Sequence, residues 1–167
     1  MRANVLAPAV AGALLIAATA AGAATQTTTF SVSAQVAANC LVAADNINFG
    51  NYAGTAALTA NGAVKVRCSS GTPFTIGLSA GGGSFAQRLL SDGSGHSLQY
   101  NLFTASNFGM IWGDGSNSTG TLGDVGAGMS AAKELSKTVY GELVNSATNQ
   151  DAPAGNYTDT ITVTVTY

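Results

Sequence analysis

The chain has 167 residues, a formal net charge of −2 at pH 7 and a charged fraction of only 8%. It has no basic cluster that would hold a phosphate backbone, which argues against nucleic acid as a partner. With a single histidine and two cysteines, it also offers few metal ligands, and we expect neither a metal nor a cofactor.

The N-terminus has the three parts of a secretory signal. Arg2 provides the positive charge, residues 5–18 form a short apolar stretch, and small residues at 21–23 suit cleavage. We expect a signal over residues 1–24, because the apolar run is too short and too rich in alanine for a membrane span. Removing 24 of the 167 residues leaves about 143, a length that fits one domain.

The segment directly behind the signal, residues 27–36, alternates like a half-buried β-strand. Its apolar face holds Phe30, Val32, Ala34 and Val36. We expect it to pair with the open sheet edge of another subunit, which indicates a self-assembling fibre rather than an enzyme. The alternative is the first strand of a closed, monomeric sandwich. Only three residues separate Val36 from Cys40, and this short connection limits what the segment reaches within its own domain.

Cys40 and Cys68 are the only cysteines of the chain. In an exported protein an even number of cysteines most simply forms disulfides, so we predict one structural bond between them. A metal site would need further His or Cys ligands, and a redox pair more often has the spacing Cys-x-x-Cys. The metal site and the redox pair are therefore weaker interpretations than the structural disulfide.

Alternating apolar residues further along the chain predict short β-strands. The clearest runs are Val64, Val66 and Cys68, then Phe74, Ile76 and Leu78, then Leu98, Tyr100 and Leu102. Residues 159–167 alternate threonine with Ile161, Val163, Val165 and Tyr167. One short helical turn fits within residues 130–137. Such strands in an exported chain predict an all-β sandwich.

Turn residues separate these runs. Positions tolerant of positive φ occur at Asn61-Gly62, Gly81-Gly82-Gly83, Asp92-Gly93, Asp114-Gly115 and Ala154-Gly155. We interpret the glycine run at 81–83, with Ser84, as a flexible hairpin connection, because it lacks the lysine and the setting of a phosphate loop.

Catalytic chemistry is weakly indicated. His96 lies near Asp92 and two serines in one glycine-rich turn, but the members of a catalytic triad normally come from distant parts of a fold. Asp114 and its neighbours suggest calcium only faintly, and a turn fits them better. Trp112 is thin evidence for a sugar site. We expect no catalytic residues.

A set of short motifs in a fixed order resembles the spore coat protein U domain family, and within it the pilins of archaic, Csu-type chaperone–usher pili. The likeness covers essentially the whole chain behind the signal. The motifs are residues 39–40, 47–52 (Ile-Asn-Phe-Gly-Asn-Tyr), 64–68, 100–103, 111–115, 139–141 and 153–160, followed by the alternating Val/Thr terminus.

The resemblance implies an incomplete immunoglobulin-like sandwich that lacks its last strand. It implies a structural pilin, the repeating shaft subunit of a pilus that supports adhesion and biofilm formation. In this interpretation residues 25–37 are the donor strand and residues 38–167 the pilin domain. The C-terminal alternating residues, Ile161, Val163, Val165 and Tyr167, form the acceptor edge that binds the chaperone and then the donor.

The partners implied are identical or homologous pilin subunits, a periplasmic chaperone and an outer-membrane usher. The protein would be exported through the periplasm to an extracellular pilus, without stable membrane insertion. The alternatives are a secreted spore-coat-type structural protein and a monomeric extracellular carbohydrate-binding β-sandwich.

Overall fold

The structure, a computed structural model, describes residues 22–167. The predicted signal falls mostly outside these residues. The chain divides after Gln35 into an N-terminal segment and a folded unit, Val36–Tyr167. The strands are β1 Cys40–Ala44, β2 Leu58–Cys68, β3 Pro73–Leu78, β4 Arg88–Ser91, β5 Ser97–Phe103, β6 Leu122–Val125, β7 Leu135–Leu143 and β8 Val163–Thr166. A 3₁₀ turn, Ala131–Lys133, and a short helix α1, Ala147–Gln150, complete the elements.

The strands form two antiparallel sheets. The larger sheet has the order β1-β2-β7-β5-β4, and the smaller sheet has the order β6-β3-β8. Helix is almost absent from the described residues, so the prediction of an all-β sandwich is confirmed. The 3₁₀ turn lies where one helical turn was predicted, directly before β7.

The core lies between the sheets and follows the predicted alternation. The buried apolar side chains are Val64, Val66, Cys68, Phe74, Ile76, Leu78, Leu98, Tyr100, Leu102, Trp112, Val139 and Leu143. The predicted disulfide is also present: Cys40 and Cys68 are bonded and lie opposite each other in the β1–β2 register.

The N-terminal segment has no strand, since none is assigned between residues 22 and 39. Phe30 and Val32 are 87% and 86% exposed. The strand predicted over residues 27–36 is thus absent from the single chain, because an extended segment becomes a β-strand only where a neighbouring backbone pairs with it. The alternative, a first strand of a closed sandwich, is wrong: neither sheet includes these residues.

The turn predicted at Asn61-Gly62 and the hairpin predicted at residues 81–83 are wrong. Asn61 and Gly62 lie inside β2, opposite Tyr140 and Val139 of β7. Glycine is needed there for space, since a Cβ on Gly62 would lie 2.7 Å from Ile47 Cγ1. The glycine run at 81–83 does form a turn, with a positive φ at Gly81. This turn is not a hairpin connection, because β3 and β4 belong to different sheets.

The C-terminal strand is shorter than predicted, but its apolar side chains face the core as predicted. β8 covers Val163–Thr166 rather than residues 159–167. Ile161, Val163 and Val165 are half-buried against the core, and the threonines between them are exposed. The lead-in to β8 is held partly by side chains, since the Thr162 amide donates to Ser79 Oγ at 2.9 Å.

Candidate functional site

The two sheets leave a large open groove between them. The larger sheet has five strands and the smaller three, so part of the larger sheet's inner face is uncovered. The resulting cavity has a volume of about 1140 Å³, which exceeds the usual size of a small-molecule pocket. Its apolar lining includes Val64, Leu78, Leu98, Leu102, Val139, Leu143, Ile161 and Val163.

One side of the groove is bounded by β8, an edge strand. Among the described strands, β8 pairs only with β3, where Val163 is opposite Leu78 and Val165 opposite Ile76. The Ser79 amide donates to the Thr162 carbonyl oxygen at 2.9 Å. Because backbone groups alternate along an antiparallel strand, those of Val163 and Val165 point away from β3, toward the free edge. The same two residues turn apolar side chains inward.

The opposite side is formed by the connection between β1 and β2, residues 45–57. Ile47 and Phe49 pack on the core from this connection, above the small residues Gly62 and Gly141 of the larger sheet. The Phe49 ring meets Tyr100 edge-on, with 6.0 Å between ring centroids. Among the described residues, those at 46–57 make no backbone hydrogen bond to another element. Residues 46–57 therefore border the groove with backbone that is not paired with another strand.

The chain matches a family model over residues 26–164, that of the Spore Coat Protein U domain. It belongs to the Spore Coat Protein U domain family. The family resemblance drawn from the ordered motifs is thereby confirmed. A comparison with curated proteins gave no match.

Among solved structures, the fold is similar to a chain of the CsuC–CsuE chaperone–tip adhesion subunit pre-assembly complex from the archaic chaperone–usher Csu pili of Acinetobacter baumannii. The two chains are 24% identical with a TM-score of 0.57, and the match covers 79% of this chain and 40% of that chain. At this identity the likeness shows the fold. The chain thus spans less than half the length of the one it matches.

The remaining acceptor residue of the sequence prediction, Tyr167, lies just beyond β8 and is 57% exposed. The structure therefore places Ile161 and Val163 of this Spore Coat Protein U domain in the lining of the groove. Val165 packs against the core further along β8, and Tyr167 does not line the groove. The predicted donor residues Phe30, Val32, Ala34 and Val36 are all exposed.

Two groove residues, Ile47 and Phe49, were not among the predicted site residues. Ile47 and Phe49 entered only through a family motif. Their alternation with Asn46 and Asn48 was the signal that would have indicated a half-buried extended segment.

A buried arginine of this Spore Coat Protein U domain was also missed. The Arg88 side chain is fully buried. Its guanidinium donates to the Ser79 and Trp112 carbonyl oxygens and to Asn101 Oδ1, and it lies 5.6 Å from the Phe85 ring centroid. Burial lowers the pKa of Arg88. This cation links β4, β5 and the end of β3 from inside.

The other sequence candidates have structural explanations. Asp92 Oδ2 lies 2.7 Å from His96 Nδ1, and Asp92 Oδ1 accepts from the Ser94 and His96 amides. The hydrogen bond from His96, and then that from Ser94, lower the pKa of Asp92. The pair therefore belongs to the predicted Asp92-Gly93 turn.

Asp114 likewise lies in the predicted turn, since its Oδ1 accepts from the Ser116 amide at 2.8 Å. Trp112 is fully buried and its Nε1 donates to the Ile76 carbonyl oxygen at 2.9 Å. Stacking of Trp112 on a sugar is thus wrong, because its ring is inaccessible.

Within residues 22–167 there is no cluster of three or more His, Cys, Asp or Glu side chains placed to bind a metal ion. None of the helices in that range is both long and apolar enough to span a membrane.

Proposed function

We propose that this chain is a structural pilin of an archaic chaperone–usher pilus. It polymerises by donor-strand exchange, and the fibre supports surface adhesion and biofilm formation. Residues 25–37 of one copy enter the groove of the next copy and pair beside β8. The protein acts by assembly and not by catalysis.

The observation that carries the proposal is the groove itself. A cavity of about 1140 Å³ opens onto the apolar core beside an unpaired strand edge. Exposed edges of this kind are templates for pairing with another chain. The same chain carries, in residues 27–36, an alternating apolar segment that its own sheets do not use. The segment supplies the strand and the apolar side chains that the groove lacks.

Burial of the apolar face of the segment would stabilise such a joint, and ordering of its backbone would oppose it. Full burial of a Phe or Val side chain contributes about 1.5–3 kcal/mol, so Phe30, Val32 and Val36 together contribute on the order of 5–8 kcal/mol. Ordering the segment opposes this by about 1–2 kcal/mol per residue, and backbone hydrogen bonds to β8 offset part of that cost. The joint would persist through slow strand withdrawal as well as equilibrium affinity.

The partners follow from the same groove. A subunit with an open apolar core and a free edge aggregates unless it is covered during export, which supports a periplasmic chaperone bound along β8 before assembly. The similar fold in a chaperone–subunit pre-assembly complex of Csu pili supports the same partner. An outer-membrane usher would then pass the subunits through the outer membrane to the cell surface.

We assign the chain to the repeating shaft of the pilus. A repeating subunit needs both a donor and an acceptor, since it fills one groove and has its own filled. This chain has a candidate for each, the segment with Phe30 and Val32 and the groove with Val163. A subunit at the tip needs only the acceptor.

Denaturing gels without heating test this proposal. The exported protein should run as a ladder of multiples of the subunit that collapses to one band on heating, since strand withdrawal is slow. Substitution of both Phe30 and Val32 by Asp should abolish the ladder, because two carboxylates would enter an apolar groove. A single monomer band for the wild-type protein in unheated samples would contradict donor-strand polymerisation.

A further inference from the structure

One buried serine, Ser69, holds residues 37–39. These residues are the linker between the donor segment, residues 27–36, and β1. Ser69 is 9% exposed. Its Oγ accepts a hydrogen bond from the Asn39 amide at 3.1 Å and donates one to the Ala37 carbonyl oxygen at 3.2 Å. The Ser69 amide donates to the Asn39 carbonyl oxygen at 2.9 Å. The linker is therefore bound to Ser69 through both amide and carbonyl groups.

These contacts give the linker a direction. Cys40 is opposite Cys68 in the β1–β2 register, and the bond between Asn39 and Ser69 continues that ladder by one step. Residues 37–39 therefore prolong the line of β1 beyond Cys40. They do not turn back along β1.

The surroundings of Ser69 are held firmly. The Gly126 amide donates to the Thr72 carbonyl oxygen at 2.7 Å, the Gly71 amide to the Gly126 carbonyl oxygen at 2.8 Å, and the Gly128 amide to the Cys68 carbonyl oxygen at 3.0 Å. A Cβ on Gly126 would collide with the Ser69 carbonyl oxygen. With the disulfide on its other side, Ser69 is a fixed point for the linker.

We propose that Ser69 is a positioning residue that directs the donor segment to a second copy of the chain and away from its own groove. This inference rests on the proposed function. The lining of the groove includes Ala44 of β1 and Val64 of β2, so a segment that filled its own groove would have to reverse within residues 37–39. The hydrogen bonds to Ser69 oppose that reversal.

The test compares Ser69→Ala with Ser70→Ala, a matched change at the exposed neighbour. Each full chain from Thr25 is unfolded in guanidinium with its disulfide intact, refolded by dilution and sized by chromatography with light scattering. Ser69→Ala should raise the ratio of closed monomer to polymer about 30-fold, the factor expected for loss of the two hydrogen bonds that the Ser69 hydroxyl makes to Asn39 and Ala37. Ser70→Ala should match the wild type. A closed monomer is recognised because an added peptide of residues 25–38 does not raise its melting temperature.

Two further variants keep the test decisive. Two glycines inserted between Val36 and Ala37 leave every contact of Ser69 in place but free the direction of the segment, so they should also raise the closed monomer. Ser69→Thr keeps the hydroxyl and should polymerise like the wild type. Wild-type assembly by a folded Ser69→Ala protein overturns the inference, and if that variant does not fold, wild-type assembly by the glycine insertion overturns it. If the wild type neither polymerises nor accepts the peptide, the proposed function fails and the role of Ser69 with it.

Discussion

The Tyr100 hydroxyl donates a 2.6 Å hydrogen bond to Asp159 Oδ2, which joins β5 of the larger sheet to the segment that leads into β8. The other oxygen of Asp159 accepts from the Gly82 and Thr160 amides. Both Tyr100 and Asp159 line the groove. The bond therefore helps to set the distance between the acceptor edge and the larger sheet.

This bond predicts a loss of stability in alkali. Burial first, and then the hydrogen bond to Asp159, raise the pKa of Tyr100 above its ordinary value of 10.0. The unfolded phenol ionises at lower pH than the folded one, so stability is fully present below about pH 10 and is lost as the pH rises above it. The urea midpoint of the wild type should fall more steeply from about pH 10 upward than that of Tyr100→Phe. Tyr167→Phe, at an exposed tyrosine, should keep the steep fall, and equal slopes for all three proteins would argue against it.

A charge on the inner face of β8 should block strand acceptance. Val163→Asp places a carboxylate in the apolar groove, where an unpaired charge costs about 3 kcal/mol or more, so binding of a donor peptide should weaken by about 100-fold. Thr164→Asp is the matched control, because Thr164 is the exposed next residue of the same strand. Calorimetric titration with the peptide measures both. Equal affinities for the two variants would remove β8 as the acceptor.

The donor segment should stabilise a chain that lacks its own. A protein without residues 25–35 should still form a one-to-one complex with its chaperone, because its groove is intact, but it should not polymerise. A peptide of residues 25–38 at about 100 times its Kd should add about 2.7 kcal/mol to the stability of this chain. Continued polymerisation of the truncated chain, seen by size-exclusion chromatography, would count against the assignment.

The face of the donor segment that enters the groove is tested by two paired peptides. A peptide with Phe30→Asp and Val32→Asp should fail to raise the melting temperature, because its charges fall on the apolar face. A peptide with Ser31→Asp and Ser33→Asp carries the same added charge on the other face and should act like the wild-type peptide. Identical behaviour of the two would show that the alternation has no part in binding.

Hydrogen exchange should locate the new backbone pairing. Thr164 and Thr166 lie opposite Gly77 and Thr75 of β3, and the register directs their amides toward β3, so these should exchange slowly with or without donor peptide. The amides of Val163 and Val165 face the free edge and should become slow only when the peptide binds. Residue-resolved NMR exchange measures this alternation. Protection that does not alternate in this way would be inconsistent with strand addition at β8.

The disulfide should contribute substantially to stability. Replacement of both Cys40 and Cys68 by serine should lower the free energy of unfolding by about 2–5 kcal/mol, the usual range for small secreted domains. It should also lower pilus yield, since the bond holds the start of β1 where the donor segment leaves the domain. Urea unfolding of the variant and the oxidised wild type measures the difference. Two free thiols in the unreduced wild-type protein would refute the prediction.

The strands were predictable because their signal is local. Val64, Val66 and Cys68 alternate with polar residues, and the structure buries all three. The period of two is a property of the strand itself and does not depend on which strand lies beside it. The same rule identified the inward side chains of Val163 and Val165.

The Asn61-Gly62 prediction failed because glycine has two uses. The pair was interpreted as a turn from the conformational freedom of glycine. In the structure Gly62 is a strand residue that leaves room for Ile47, a residue 15 positions away in the sequence. A close approach of this kind depends on the packing of distant segments.

The sequence by itself determined which side chains of each strand face the core, where the disulfide forms and that an apolar segment precedes the domain. Only the tertiary structure decided that the sheets have five and three strands, and hence that a groove opens beside Val163. It also decided that Arg88 is buried among carbonyl oxygens and that Ser69 holds the linker. The alternation of apolar residues and the number of cysteines can be read directly from the sequence. How much of a sheet face is covered depends on the number of strands in each sheet, and these strands come from distant parts of the sequence.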